Sequence, residues 1–431
     1  MLYRPVVDRF PVPVPLDPPS AALFGAIFIA AAFLTARRPA YALAALFLAA
    51  PFGFAHEALG TTITIPKAVL LGVLLGITTY GGWASLLRKQ PARLLLGALA
   101  LLFVATALTL IDAAHRGPTL REALKVAEYA AYFVAAFLCY RLDSEDAPLV
   151  AATAVAAIAV SISALAQEAI GAPSGLYIGA AIVPRIAGVL EGPNQLCGYC
   201  EIVFAALGSW ALIRRTLLAD VALVLVICAG VLTFSRAGWV GLAAVAALLL
   251  WIGGRESRRA LRPGLLGLAL GAAGSLWWAV YAHSPVMLRA ALEPSLYSGG
   301  VGSRSELWHA AWRMWLDHPL LGVGAGNFEL DLPAYGVFGV RTHANSWYLQ
   351  SLAEGGLVLF TATIALLAAI AVSFVRWIAR APWALAAVAA SLALALHQTA
   401  DFLVFYPKVG DTWWLLLGTA AAAVVPRLRS G

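Results

Sequence analysis

Charged residues are scarce in this chain, and their scarcity excludes a soluble globular protein. Only 12% of the 431 residues are charged, whereas 62% are hydrophobic. Soluble domains carry about twice that share of charge. Runs of about 20 apolar residues, the length that crosses a bilayer as a helix, recur with short spacers. The composition therefore predicts an all-α, polytopic integral membrane protein.

Strict alternation of apolar and polar residues is also missing, which excludes a membrane β-barrel. The apolar segments predict helices near 20–36, 40–55, 66–87, 93–111, 124–140, 148–170, 194–213, 217–234, 237–253, 263–282, 347–375, 382–400 and 412–426. This gives 12 or 13 spans, because Pro51 interrupts the second segment. Residues 1–18 lack the pattern of a cleaved signal peptide and are expected to form a surface segment.

The chain lacks the motifs of several common functional sites. It has no glycine-rich phosphate loop and no dinucleotide-binding fingerprint. The histidines at 309, 318 and 343 are not spaced with carboxylates or thiols as metal ligands would be, so neither a metal nor a cofactor is predicted. Cys197 and Cys200 have CxxC spacing, but they lie in an apolar segment and are expected to be packed side chains. The net charge of +7 is not concentrated in a basic domain, so no nucleic-acid partner is expected.

Basic residues collect in alternate loops, and this asymmetry orients the chain in the membrane. The loops on the predicted cytoplasmic side contain Arg37, Arg38, Arg88, Lys89, Arg93, Arg141, Arg214, Arg215, Arg255, Arg258, Arg259, Arg262, Arg376, Arg380, Arg427 and Arg429. The C-terminus is then cytoplasmic, while the side of the N-terminus stays open. The predicted organisation is a surface segment 1–18, transmembrane helices 19–283, a large extracytoplasmic loop 284–346 and transmembrane helices 347–431.

Four arginines fall on the predicted outer side, against the positive-inside trend. They are Arg185, Arg236, Arg304 and Arg341. A single arginine near the membrane surface could reach lipid headgroups or pair with an acidic neighbour, such as Glu201 or Glu354 in the case of Arg236. Several guanidinium groups on one face are better explained as donors to phosphate oxygens. A phosphate-bearing lipid at the outer surface is therefore the expected ligand.

His343 is the second candidate group in the outer part of the chain. It lies two residues before Asn345, close to the start of the eleventh predicted helix. It could be a hydrogen-bonded histidine at the membrane interface. It could also be a general base, since imidazole titrates near neutrality and can take a proton from a sugar hydroxyl.

Four segments together resemble the O-antigen ligase and O-antigen polymerase superfamily of bacterial membrane glycosyltransferases. They are Arg185-Ile-Ala-Gly188 with Pro193-Asn194, Thr233-Phe-Ser-Arg236-Ala-Gly238, Arg304-Ser-Glu-Leu-Trp308 with His318-Pro319, and His343-Ala-Asn345 with Glu354-Gly355-Gly356. Their order and the long outer loop cover the central and C-terminal parts of the chain. The N-terminal third has no matching motif and is expected to be a helical scaffold that contacts lipid.

The resemblance implies an inverting, metal-independent transfer of a glycan from undecaprenyl diphosphate to an acceptor hydroxyl, at the outer face of the bacterial inner membrane. Arg236 and Arg304 would hold the diphosphate leaving group, and His343 would activate the acceptor. Arg185 and Arg341 are assigned to the donor. The expected glycan or acceptor contacts are Asn194, Asn345 and Trp308.

The sequence leaves the acceptor open. A ligase would use lipid A-core, a polymerase would use a second lipid-linked glycan, and a protein O-glycosylating enzyme, which usually has further C-terminal segments, would use a Ser or Thr. A lipid-glycan transporter or flippase is the rival from another class, because ionisable residues lie within the predicted spans. They are Glu128, Glu168, Glu201, Glu354 and His397.

Overall fold

The computed structural model describes residues 14–53, 55–58, 61–81, 89–170, 174–178, 181–281, 304–340 and 342–425, and within them the chain is mainly helical. Fifteen α-helices are present in these ranges: α1 Pro18–Arg37, α2 Pro39–Ala49, α3 Ile65–Ile77, α4 Ala92–Leu108, α5 Arg116–Leu142, α6 Asp146–Ile170, α7 Pro193–Ala211, α8 Leu217–Leu232, α9 Arg236–Ala260, α10 Arg262–Tyr281, α11 Arg304–Asp317, α12 Phe328–Asp331, α13 Trp347–Phe374, α14 Pro382–His397 and α15 Pro407–Ala423. The all-α prediction is confirmed.

Each apolar segment of the sequence contains one of these helices, but several helices are shorter than the segments. The helix predicted at 40–55 ends at Ala49, two residues before Pro51. Local signals explain several of the starts: Pro lies in the first turn of α2, α7, α14 and α15, and the Thr216 and Ser346 side chains cap α8 and α13. These are residue types that favour helix N-termini.

Some of these helices are long enough to span a membrane. Among the described residues, five helices are long and apolar enough to cross a membrane, and five further apolar helices have 10–17 residues. The polytopic membrane class is therefore confirmed, while the number of 12 or 13 spans stays a prediction.

Two small sheets, which the sequence analysis did not predict, lie between helices. Strands β1 Val14–Pro15, β2 Ala55–Ala58 and β3 Thr61–Thr64 form one sheet, in which β1 and β2 are parallel. Strands β4 Ser174–Ile178 and β5 Ala181–Arg185 form an antiparallel pair. The second pair matters for function because β5 ends at Arg185.

The apolar interior is divided into a large core between the membrane helices and a small one in the described part of the predicted loop 284–346. This part is called the outer segment after its predicted side of the membrane. The large core has close packing of α5 on α15, of α7 on α14 and of α9 on α14. The small core is built from α11 and the turns that follow it. Its members include Leu307, Met314, Phe328, Leu332 and Ala353. The part of the predicted loop 284–346 that the structure describes is thus a packed, partly helical unit.

Helix α13 is broken near its outer end. Gly356 has φ 55 and ψ −154, which only glycine adopts readily. The break frees backbone groups of α13, and the segment 319–324 satisfies them: Val323 N–H donates to the Ala353 carbonyl at 2.9 Å, and Leu357 N–H donates to the Pro319 carbonyl at 2.9 Å. The outer segment is therefore bound directly to the backbone of a membrane helix.

Candidate active site

Arg185 joins three elements at one end of the helical bundle. Its Nε donates to the Thr233 carbonyl at the end of α8 at 2.6 Å, and its terminal NH₂ donates to Asn194 Oδ1 at the start of α7 at 2.7 Å. The guanidinium is thereby held in one orientation between β5, α7 and α8.

Asp401 extends this arrangement to the connection between α14 and α15. Asn194 Nδ2 donates to Asp401 Oδ2, and Asp401 Oδ1 accepts from the Phe402 backbone N–H at 2.6 Å. The carboxylate is buried, with 4% of its residue surface exposed. Asn194, expected to contact the glycan, therefore links Arg185 to a buried carboxylate, a relation that the sequence analysis did not foresee.

Arg236 and Arg304 lie close enough to Arg185 for their charges to act on it. Burial lowers the pKa of Arg185 to about 10; Asp401 opposes this change, while Arg304 and Arg236 reinforce it. Arg304 and Arg236 also act electrostatically on each other. A pKa of about 10 leaves Arg185 protonated at neutral pH. The structure thus gathers three of the four predicted arginines; the fourth, Arg341, lies outside the described residues.

The turn between α8 and α9 places Arg236. Phe234 has a positive φ of 52, a conformation that costs energy for a bulky residue. Ser235 N–H donates to Thr233 Oγ1 at 3.2 Å, and Trp239 Nε1 donates to the Gly230 carbonyl at 3.3 Å. Two helix ends are therefore held in a turn of three residues, from which Arg236 starts α9.

Both Arg236 and Arg304 are the first residues of their helices, α9 and α11. Helix N-termini carry unpaired N–H groups and a partial positive charge, which favour bound anions. These helix ends add to the positive charge of the guanidinium groups.

His343 lies against aromatic rings of the connection between α14 and α15. Its ring centroid is 4.0 Å from that of Phe405, 5.5 Å from that of Phe402 and 6.2 Å from that of Tyr406. Burial, and then the nearby charge of Lys125, lower the pKa of His343 to about 4. The imidazole is consequently neutral at physiological pH and can accept a proton.

The connection 401–406 joins the two halves of the site. The Asp401 carboxylate is bonded to Asn194 on the arginine side, whereas the ring of the next residue, Phe402, packs on His343. Trp347 N–H donates to the Gln398 carbonyl at 2.9 Å, which holds the start of α13 against the end of α14. His343 is thereby linked to Arg185 through Phe402, Asp401 and Asn194.

The predicted glycan contacts are less closely tied to this geometry. Asn345 has a positive φ of 50, a conformation that Asn tolerates better than most residues, and it shapes the turn between His343 and α13. Trp308 lies on α11, four residues after Arg304, and its Nε1 has no hydrogen-bond acceptor among the described residues. Their contact with a substrate stays a prediction.

A partly open cavity of about 80 Å³ lies next to the aromatic residues that pack on His343. Phe405 lines it and also packs on the His343 ring. Its polar lining consists of Glu122, Lys125, Gln350, Ser351 and Glu354, besides threonine and tyrosine hydroxyls. Lys125 pairs with Glu122 at 2.8 Å and places its Nζ 3.8 Å from the centre of the Phe405 ring.

Sequence reasoning missed Lys125 and Asp401 as site residues. Lys125 lies in the N-terminal third, which has no family motif, and only the packing of α5 beside the 401–406 connection brings it near His343. Asp401 is noticeable in the sequence as an acidic residue on the outer side. The two carboxylates considered as partners of Arg236 are engaged elsewhere: Glu201 bonds His397 at 2.7 Å, and Glu354 accepts from Phe328 N–H at 3.1 Å.

The fold and the site define an all-α polytopic membrane protein with a group of arginines at one end of its helices. Residues 221–364 match the family model of the O-antigen ligases, and no curated protein matches the chain. The match supports an assignment to the O-antigen ligase and polymerase superfamily, in agreement with the sequence motifs. Arg236, Arg304 and His343 lie inside the matched range, and the family acts in general on lipid-linked glycans.

Proposed function

We propose that this protein is a glycosyltransferase of the O-antigen ligase type, which moves a glycan from undecaprenyl diphosphate to a hydroxyl of lipid A-core. The reaction inverts the anomeric carbon, needs no metal and takes place at the outer face of the bacterial inner membrane, with the C-terminus in the cytoplasm. The observation that carries the proposal is the grouping of Arg185, Arg236 and Arg304, which Asn194, Asp401 and Phe402 link to His343.

The arginine group has the chemistry to bind a diphosphate. Guanidinium groups donate paired hydrogen bonds to phosphate oxygens and stay charged at neutral pH. Arg185 is already bonded to Asn194 and Thr233, so we assign it to fixing the shape and charge of the site. Arg236 and Arg304 are assigned to the leaving group, and Arg341 is proposed as a further donor contact.

His343 would act on the acceptor. The acceptor hydroxyl oxygen attacks the anomeric carbon, the bond from that carbon to the diphosphate oxygen breaks, and the hydroxyl proton passes to a ring nitrogen of His343. The electron pair of the broken bond leaves with the diphosphate, whose growing negative charge the arginines stabilise. Asn345 and Trp308 are proposed to contact the glycan or the acceptor.

The lowered pKa of His343 constrains the timing of this step. A histidine with a pKa of about 4 is neutral but weakly basic, so it cannot ionise a free sugar hydroxyl before attack. A hydroxyl becomes strongly acidic once its oxygen bonds to the anomeric carbon. Proton transfer is therefore expected late, after departure of the diphosphate has begun.

The test is a reaction of the purified full chain with lipid-linked glycan in EDTA, with lipid A-core or a second lipid-linked glycan as acceptor. Transfer to lipid A-core supports a ligase, and growth of the lipid-linked glycan supports a polymerase, which shares the proposed donor site. Arg236→Ala and Arg304→Ala should each reduce transfer on the order of 100-fold or more, because each removes a group that stabilises the leaving charge.

Arg313→Ala is the matched control for this test. Arg313 lies on α11 with Arg304, but its guanidinium bonds the Tyr335 carbonyl and stacks on that tyrosine ring. It should retain transfer at about the wild-type rate. Wild-type transfer by Arg236→Ala and Arg304→Ala would refute the arginine site, and loss of transfer in EDTA that Mg²⁺ restores would refute metal independence.

A further inference from the structure

Three polar side chains form a buried chain of hydrogen bonds directly behind Arg236. Glu201 Oε1 lies 2.7 Å from His397 Nδ1, and His397 Nε2 lies 3.1 Å from Ser235 Oγ. Glu201 and His397 have no exposed surface, and Ser235 is 4% exposed. The three residues come from α7, from the end of α14 and from the residue that precedes α9.

The donors and acceptors in this chain follow when Glu201 is assigned as a carboxylate. A carboxylate accepts hydrogen bonds, so His397 Nδ1 carries the hydrogen shared with Glu201. In a neutral ring, Nε2 then accepts from the Ser235 hydroxyl. Each end of the imidazole thus has a defined partner, and the ring joins α7 to the start of α9.

Two glycines on α9 make room for this chain. A Cβ at Gly238 would lie 3.0 Å from His397 Cε1 and 2.3 Å from Cys197 Sγ, and a Cβ at Gly241 would lie 2.4 Å from Glu201 Oε1. Ser235, Gly238 and Gly241 recur every three residues and so share one face of the helix. At the two glycines, the backbone of α9 therefore lies directly against side chains of α7 and α14.

The packing of this face of α9 against α7 and α14 determines the direction of the Arg236 side chain. Successive helical residues are rotated by about 100°, so Arg236 is directed away from the face that Ser235 and the glycines occupy. The charge of Arg304 acts on His397 as well as on Arg236. The buried chain therefore lies beside the arginine group but does not itself face the proposed substrate.

We propose that Glu201, His397 and Ser235 form a positioning relay for Arg236. Glu201 orients the imidazole, the imidazole holds the Ser235 hydroxyl, and Ser235 sets the rotation of the first turn of α9. This inference rests on the proposed function, because it assigns a purpose to the place of Arg236. It also explains why an ionisable pair, Glu201 and His397, lies inside the bundle, where a transporter would use such residues as an ion pathway.

A double-mutant cycle on the purified full chain tests the relay. His397→Gln and, as a less disruptive change, Ser235→Ala should lower kcat for glycan transfer by about 10-fold to 100-fold, the effect expected from a small misplacement of a catalytic group, while the acceptor KM stays the same. In an Arg236→Ala background, the same substitutions should change the residual rate by less than about twofold, because residues that act through one group are not additive.

Two further variants separate positioning from general packing. Glu201→Gln keeps an amide oxygen that can accept from His397 Nδ1, and it should restore most of the rate that Glu201→Leu loses. Ser391 lies on α14 with His397 and accepts a buried hydrogen bond from Trp413 Nε1 on α15. Ser391→Ala removes that bond without touching the relay and should leave kcat unchanged.

The outcomes are distinct. If Ser235→Ala and Arg236→Ala lower the transfer rate independently, so that their effects multiply in the double variant, this result would overturn the relay and leave the arginine site intact. A normal kcat in both His397→Gln and Ser235→Ala would do the same. Binding of undecaprenyl diphosphate, measured separately, tests the underlying site: if Arg236→Ala binds it and transfers glycan like the wild type, the proposed function fails and the relay fails with it.

Discussion

At the scale of single residues, the balance of charge around Arg185 is the main feature of the site. Three arginines lie within electrostatic range of one another, and the buried carboxylate of Asp401 offsets part of their charge. A diphosphate bound beside these guanidinium groups would place negative charge next to them, so the arginine group would contribute to binding of the donor.

Lys125 offers a test of the role of His343 through pH. Because the charge of Lys125 contributes to lowering the pKa of His343, Lys125→Met should raise that pKa toward the ordinary value. Transfer is lost as pH falls through the pKa of the base, so the acidic limb of the rate profile should move to higher pH. Lys125→Arg keeps the charge and should keep the limb in place. An unmoved limb in Lys125→Met would contradict His343 as the base.

The candidate site residues were predicted from the sequence for one common reason. Arg236, Arg304 and His343 could be chosen as candidates because permanent charge and imidazole stand out at the ends of apolar spans. Asp401, Lys125 and the link through Asn194 could not be found, because each depends on which helix ends meet in space. Contacts over more than 200 positions, such as that between Asn194 and Asp401, leave no local pattern in one sequence.

At the scale of elements, the broken helix α13 connects the outer segment to the membrane helices. Gly322, Gly324 and Gly356 have positive φ values, and a Cβ at Gly322 would lie 2.3 Å from the Glu354 carbonyl carbon. Close approach of two backbones is possible only because these residues lack side chains. The sequence predicted one continuous helix at 347–375, because the apolar run gives no sign of the break at Gly356.

Gly356→Ala should destabilise the protein more than a comparable change elsewhere. The new Cβ would need a positive φ and would lie 2.4 Å from the Leu320 carbonyl carbon, which is backbone and cannot move aside cheaply. Gly336→Ala is the control, because Gly336 has φ 85 but nothing within 4 Å of an added Cβ. Strain alone costs on the order of 1–3 kcal/mol. Melting in detergent should show a lower Tm for Gly356→Ala than for Gly336→Ala; equal Tm values would argue against close backbone contact there.

At the scale of the whole molecule, the N-terminal third does more than support the bundle. Asn327 in the outer segment accepts from His115 N–H at 3.0 Å and donates to Thr119 Oγ1 at 3.0 Å. The Ala325 N–H donates to Thr109 Oγ1 at 3.0 Å. The connection between α4 and α5 and the first turn of α5 thus also hold the outer segment, and α5 supplies Lys125. The N-terminal third was predicted to be a scaffold. Its contacts indicate that this scaffold also shapes the candidate site.

Orientation in the membrane is the broadest prediction, and cysteine labelling can test it. The four native cysteines are all free and buried, so a membrane-impermeant maleimide should label the wild type weakly. Phe338 is 64% exposed, and Phe338→Cys should be labelled in intact spheroplasts because the outer segment faces the exterior. Arg258 is exposed in the last turn of α9, and Arg258→Cys should be labelled only after permeabilisation. The reverse pattern would place the arginine site in the cytoplasm, away from any acceptor on the outer leaflet.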